Sequence, residues 1–174
     1  YLDEQKAHSI EVQAMCKMRS IAGGKWLRNE CESFRDHVVY DLRQVDKEGF
    51  LKMRHLQIDS HVNSNSINAK YSPGGLVDIE YSIQYIQMEK GGQYPELRET
   101  NVLRVMRAML NCGVIHPTLF EKLNNAYAFF RRLINALRIV RGNAKDLELP
   151  KELSTEWEFL ERRMGYYGAG QNPY

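Results

Sequence analysis

The sequence is poor in the features that mark specialised protein classes. It has three cysteines in 174 residues, Cys16, Cys31 and Cys112, widely spaced and odd in number. That fits neither a disulfide framework nor a four-ligand zinc site, and it points to a reducing, cytoplasmic setting. No apolar run approaches the roughly 20 residues that a membrane span needs, and the N-terminus has no apolar signal-peptide core. The 24 basic and 22 acidic residues leave a net charge of +2, too little to draw the chain to nucleic acid or an anionic membrane. Neither is expected as a partner. Proline and glycine, at 5 and 12 residues, are too sparse for a disordered chain. His8, His37, His55, His61 and His116 sit in unrelated contexts, so no metal site and no Ser-His-Asp set is expected.

What is present is helical periodicity, with Pro and Gly falling between segments rather than inside them. The expected fold is all-α, a bundle of six or seven helices, with one helical domain over residues 1–165 and a flexible tail over 166–174. A first helix from about Asp3 to Ala22 is closed by Gly23 and Gly24. A second, from about Lys25 to Arg43, sets Leu27, Cys31, Phe34, Val38 and Leu42 on one stripe. A third runs from an Asp46 N-cap to about Val62, and the polar stretch 63–68 is its exit loop. Further helices are expected over about Leu76 to Lys90, Arg98 to Asn111, Pro117 to Gly142 and Ser154 to Met164. Tyr1, rather than Met, at the first position is expected of a piece of a longer protein or of a processed product.

Residues 74–87 carry two periods at once. Val77, Ile79, Tyr81, Ile83 and Tyr85 alternate with Asp78, Glu80, Ser82 and Gln84, as in a half-buried strand. On a strand, Asp78 and Glu80 share a face and could hold catalytic magnesium. On a helix, residues two apart diverge by about 200° and the two carboxylates do not share one ion. The alternation breaks at Leu76 and Ile86 and no other convincing strand exists to pair with it, so a helix is expected. Glu80, Gln84 and Gln87 then form one polar stripe, expected to face inward because burial of such groups demands partners. Arg54, Arg131 and Arg138 are the partners available. Asp78 suits the first helical turn, where it meets unpaired backbone amides, and Gly74 and Gly75 allow positive φ or close approach.

The run NAKYSPGGLVDIEYSIQYIQ resembles the lysine, Gly-Gly-hydrophobic-x-Asp-Ile-Glu-aromatic, glutamine pattern of glutamine synthetase adenylyltransferases. Lys70, Gly74, Gly75, Asp78, Glu80 and Gln84 match it residue by residue, and flanking runs such as RSIAGG, MRHLQ and PELRETN extend the likeness over about residues 7–145. The resemblance implies an accessory helical domain that follows a nucleotidyltransferase domain, in enzymes that attach AMP to a tyrosine of glutamine synthetase or remove it. It also implies ATP and magnesium for the parent enzyme, and PII signalling protein and glutamine synthetase as partners. The family's catalytic Gly-Ser pair and Asp-x-Asp are missing from this sequence, so no catalytic residue, metal or cofactor is expected in this chain itself. The alternative is a stand-alone helical interaction module with no role in catalysis.

Overall fold

A computed structural model describes residues 9–42, 45–143 and 145–166. Among them are seven α-helices: α1 (Ser9–Met15), α2 (Lys25–Asp36), α3 (Lys47–His61), α4 (Leu76–Lys90), α5 (Val102–Asn111), α6 (Pro117–Arg141) and α7 (Thr155–Met164). The fold is all-α as expected, and residues 167–174 of the expected tail lie outside the described residues. The chain divides into two compact units, Tyr1–Leu56 with Ile79–Asn124 and Gln57–Asp78 with Asn125–Tyr174.

Local chemistry sets several helix ends. Asp46 Oδ1 accepts from Gly49 N at 2.9 Å, the expected cap of α3. Ser154 caps α7 by accepting from Trp157 N, and Gly165 closes that helix at φ +80°. The helix expected from Arg98 begins later, at Val102. Pro95–Leu97 forms a 3-10 turn first, and Asn101 Oδ1 accepts from the amides of Leu103 and Arg104. An N-cap of that strength fixes the start of α5 four residues beyond Arg98 and leaves the arginine free for other bonds.

The first helix is a larger correction. Residues 3–8 of the expected helix lie outside the described residues, and α1 ends at Met15 instead of reaching Ala22. Cys16, Lys17 and Met18 donate to carbonyls three residues back, so the last turn tightens and runs out. Arg35 of α2 then accounts for the exposed end: its Nη1 donates to the Met18 carbonyl at 2.9 Å. Apolar period alone cannot foresee an arginine from another helix taking a backbone carbonyl.

In the first unit, Val12 and Cys16 pack with Val39, Tyr40, Phe50 and Met88. Val39 and Tyr40 come from a π turn, His37–Asp41, that continues α2. Phe50 meets the rings of Tyr81 and Tyr85 edge-on, with centroids 6.1 and 5.7 Å away. In the second unit, Leu133, Ile134, Ala136 and Leu137 of α6 pack with Ala69, Leu76, Leu147, Leu160 and Met164.

Candidate functional site

The motif begins in a turn that precedes α4. Asn68 organises it: its Oδ1 accepts from the amides of Lys70 and Tyr71 at 3.0 Å each, and its own amide donates to Ser72 Oγ at 2.8 Å. The carbonyls of Ala69, Lys70 and Ser72 accept from Leu76, Val77 and Gly75, so the turn feeds straight into the helix. Those same carbonyls crowd Gly75. A Cβ there would lie 2.9 Å from Ser72 O, 3.0 Å from Lys70 O and 3.2 Å from Ala69 O, so only glycine fits. Gly74 has a different role: it sits at φ +80°, and its amide donates to Asp78 Oδ2 at 2.6 Å. Asp78 thereby takes up an amide that the helix start leaves unpaired. The Lys70 ammonium lies 4.7 Å from the centre of the Tyr71 ring, which stacks on His61 at 4.3 Å.

From Glu80 onward, motif residues bond to other elements of the first unit. Glu80 is half-buried and accepts from Lys17 Nζ at 2.9 Å. Gln84 is buried, and its Oε1 accepts from the buried Gln13 Nε2 at 2.8 Å. Gln87 is 2% exposed, and its amide nitrogen lies within hydrogen-bond reach of three acceptors: Leu97 O and Glu99 O at 2.7 Å and Tyr40 Oη at 3.1 Å. One side chain thus ties the end of α4 to the π turn and to the 97–99 loop. Gly91 permits it, because a Cβ there would lie 2.5 Å from Tyr40 Cδ1 and 2.6 Å from Gln87 O.

A second polar chain runs alongside. Arg98 donates to Gly91 O at 2.9 Å and to Asp41 at 3.2 Å, and its guanidinium sits 5.1 Å from the centre of the Tyr40 ring. Burial pushes the Tyr40 phenol well above its ordinary value, so it stays protonated. Burial likewise pushes the Cys16 thiol up to about 12, which leaves it no thiolate for nucleophilic work near neutrality.

The stripe's partners are therefore Lys17, Gln13, Tyr40 and two loop carbonyls, where the arginines were expected. Arg131 and Arg138 are exposed on α6, and Arg54 is buried on α3. Gln13 and Lys17 gave no sequence signal, since a glutamine and a lysine near a helix end ordinarily point to water. Asn68 was legible as a turn residue, although not as the organiser of the motif. On α4 the two carboxylates have separate engagements, Asp78 with a backbone amide and Glu80 with an ammonium. The arrangement is built to hold a turn and to join helices. Among the described residues no group of three or more His, Cys, Asp or Glu side chains could hold a metal ion, and no helix is long and apolar enough to cross a membrane.

The family model described as GlnD PII-uridylyltransferase matches residues 42–173. The chain is also similar to bifunctional glutamine synthetase adenylyltransferase/adenylyl-removing enzymes. That of Cutibacterium acnes is 30% identical over 163 residues, covering 89% of this chain and 16% of the relative. The Haemophilus ducreyi enzyme is 28% identical over 169 residues, covering 94% of this chain and 17% of the relative. The Xanthomonas oryzae enzyme is 39% identical over 82 residues, covering 47% of this chain and 9% of the relative. The chain spans less than a fifth of the length of these relatives.

Proposed function

The chain belongs to the GlnD PII-uridylyltransferase family, and from that membership we propose that it is a helical accessory domain of a glutamine synthetase adenylyltransferase-like protein. In this reading it packs on a nucleotidyltransferase domain outside this chain. The parent, a cytoplasmic enzyme, uses ATP and magnesium to regulate glutamine synthetase by AMP transfer or removal, under the influence of a PII-type signalling protein.

The observation that carries the reading is the pairing of two facts. Similarity to adenylyltransferases covers 89 to 94% of the chain, while the motif's carboxylates are committed to a backbone amide and a lysine. Such a motif supports a domain that shapes or braces a reacting site supplied elsewhere. The Glu80–Lys17 pair is the place to separate function from stability, because a half-exposed pair of this kind adds only about 0–1 kcal/mol to stability.

The test is AMP incorporation into glutamine synthetase by the longer polypeptide and by the 174-residue chain. The longer polypeptide is expected to transfer AMP in the presence of ATP and magnesium, and the chain alone is not. Glu80→Gln in the longer polypeptide is expected to lower transfer while its melting temperature stays nearly unchanged. If both fall together, Glu80 is a structural brace with no part in presenting the site. Transfer by the chain alone would overturn the accessory role.

A further inference from the structure

Between Glu121 and Asp146 the sequence holds no acidic residue, while Lys122, Arg131, Arg132, Arg138, Arg141 and Lys145 are basic. Beyond Glu161 there is again no acidic residue, and Arg162 and Arg163 stand side by side. Both stretches belong to the second unit from Asn125 onward, and α6 and α7 bring them together. Arg132 Nη2 donates to the Met164 carbonyl at 2.9 Å, and Arg141 pairs with Asp146 and Glu156. The remaining arginines are not neutralised in this way. Arg131, Arg138 and Arg163 have no hydrogen bond or ion pair among the described residues, and Arg162 has only Glu158, 3.8 Å away and open to water, as an ionic partner. Arg131, Asn135 and Arg138 recur at i, i+4 and i+7 on the exposed side of α6, with Arg132 and Ile139 on the next line. Apolar groups are set among these cations. Ile139 is 59% and Phe159 52% exposed. Val140 and Phe159 line, with Arg162 and Arg163, a cleft of about 400 Å³, where the Arg162 guanidinium lies 5.8 Å from the centre of the Phe159 ring.

We propose that this face of α6 and α7 docks an acidic segment of a partner protein, one that carries a leucine or phenylalanine among its carboxylates. Charge complementarity chooses the occupant. Unpaired guanidiniums present planar donor pairs that match a carboxylate, and the cations repel one another until such groups arrive. The sequence beyond Glu161 holds no side chain able to supply them. A second copy presents the same arginines, so two such faces repel. A net charge of +2 gives no field that would gather nucleic acid, and a phosphate backbone offers no apolar group to Ile139 or to the cleft. An acidic peptide with an apolar anchor answers both halves of the face, the anchor against Phe159 and Val140 and the carboxylates on the arginines around them.

The probe is a dye-labelled, glutamate-rich peptide with leucine and phenylalanine at helical spacing, titrated with the 174-residue chain and followed by fluorescence anisotropy. Saturable binding is expected, weakening severalfold as salt is raised. Arg138→Glu with Arg163→Glu should weaken it about tenfold or more, and Phe159→Ala about threefold. Lys25→Glu with Arg104→Glu makes the same change in net charge at exposed positions of the first unit, and should leave binding within about twofold. Thermal melting of each variant checks the fold; should the Arg138 and Arg163 reversal melt early, Arg138→Gln with Arg163→Gln reads the same loss more weakly. Absence of saturable binding would overturn the proposal. Equal losses in the two charge-reversed pairs would also overturn it, by reducing the effect to net charge. So would undiminished binding of a peptide with serine in place of its leucine and phenylalanine, since the cleft would then have no part. Tighter binding, at equal salt, to phosphatidylserine vesicles or to a single-stranded oligonucleotide would assign the face to a membrane or to nucleic acid and sink the acidic protein as its occupant.

Discussion

Helices α2 and α4 depart in opposite ways from the rule that apolar residues go inside and polar ones out: α4 buries polar side chains among its apolar ones, and α2 leaves apolar ones exposed. On α4, Gln84 and Gln87 are 5% and 2% exposed, whereas on α2 Leu27 and Trp26 are 50% and 74% exposed. What separates them is the supply of partners. Each buried glutamine of α4 finds its bonds in Gln13, Tyr40 and the 97–99 carbonyls, so its burial costs little. Leu27 and Phe34 of α2 stay 50% and 41% exposed, while the charged Arg35 and Glu32 find backbone to hold. Hydropathy ranks residues by what water does to them; the surrounding structure decides whether that ranking is obeyed.

The comparison can be broken most forcefully at Gln87. Replacing it by Leu removes the two N–H donors shared by the carbonyls of Leu97 and Glu99 and the Tyr40 hydroxyl. The expected loss is about 3 kcal/mol, read from urea denaturation midpoints. A loss below about 0.5 kcal/mol would show that the glutamine is dispensable and that α4 is held by its apolar faces alone. Gln84 sharpens the same point through its bond to Gln13. Gln84→Leu is expected to cost about 1–2 kcal/mol by leaving Gln13 unpaired, whereas Gln84→Leu with Gln13→Leu should recover most of that loss. Simple additivity of the two substitutions would mean that the bond contributes nothing.

Alkaline titration probes the core that α4 shares with Cys16 and Tyr40. The unfolded chain releases the Cys16 proton near pH 9, while the folded chain holds it to about 12. A raised folded value means that stability is full below pH 9 and is lost as pH rises from 9 toward 12. Tyr40 is shifted the same way and adds to the decline. Denaturation midpoints should fall over that window, and Cys16→Ala should make the fall shallower. A flat midpoint would contradict the burial of both groups. The smallest effect is expected on α2: Leu27→Ser with Phe34→Ser should change the stability of the chain by no more than about 0.5 kcal/mol. A loss of several kcal/mol would place those side chains in a core and remove the contrast with α4.

The alternation of residues 77–85 is instructive about what could be read in advance. It resembles a strand because α4 is apolar on two opposite sides. Val77, Tyr81 and Tyr85 share one side, with Phe50 packed on both tyrosines, while Ile79 and Ile83 lie roughly opposite. A helix buried on two sides and an amphipathic strand therefore write nearly the same pattern, and only the broken ends at Leu76 and Ile86 and the lack of a second strand to pair with separated them. The turn chemistry was plainer. Asp46 was legible as a cap, and the Gly74 and Gly75 pair as a helix entry, because those roles depend on neighbours within four residues. The partners of Glu80, Gln84 and Gln87 were not legible, since Lys17, Gln13 and Tyr40 lie 47 to 71 positions away in sequence. Nothing local marks such pairings.

The sequence by itself determined the helical class, the bounds of α4, α6 and α7 to within a residue, and the turn at Gly74 and Gly75, because period, capping and backbone sterics act over a few residues. Tertiary structure alone decided where α1 stops, which polar side chains go inside and which apolar face stays bare. Those outcomes depend on whether a distant donor, acceptor or apolar surface arrives to meet each group, and no window of sequence contains that information.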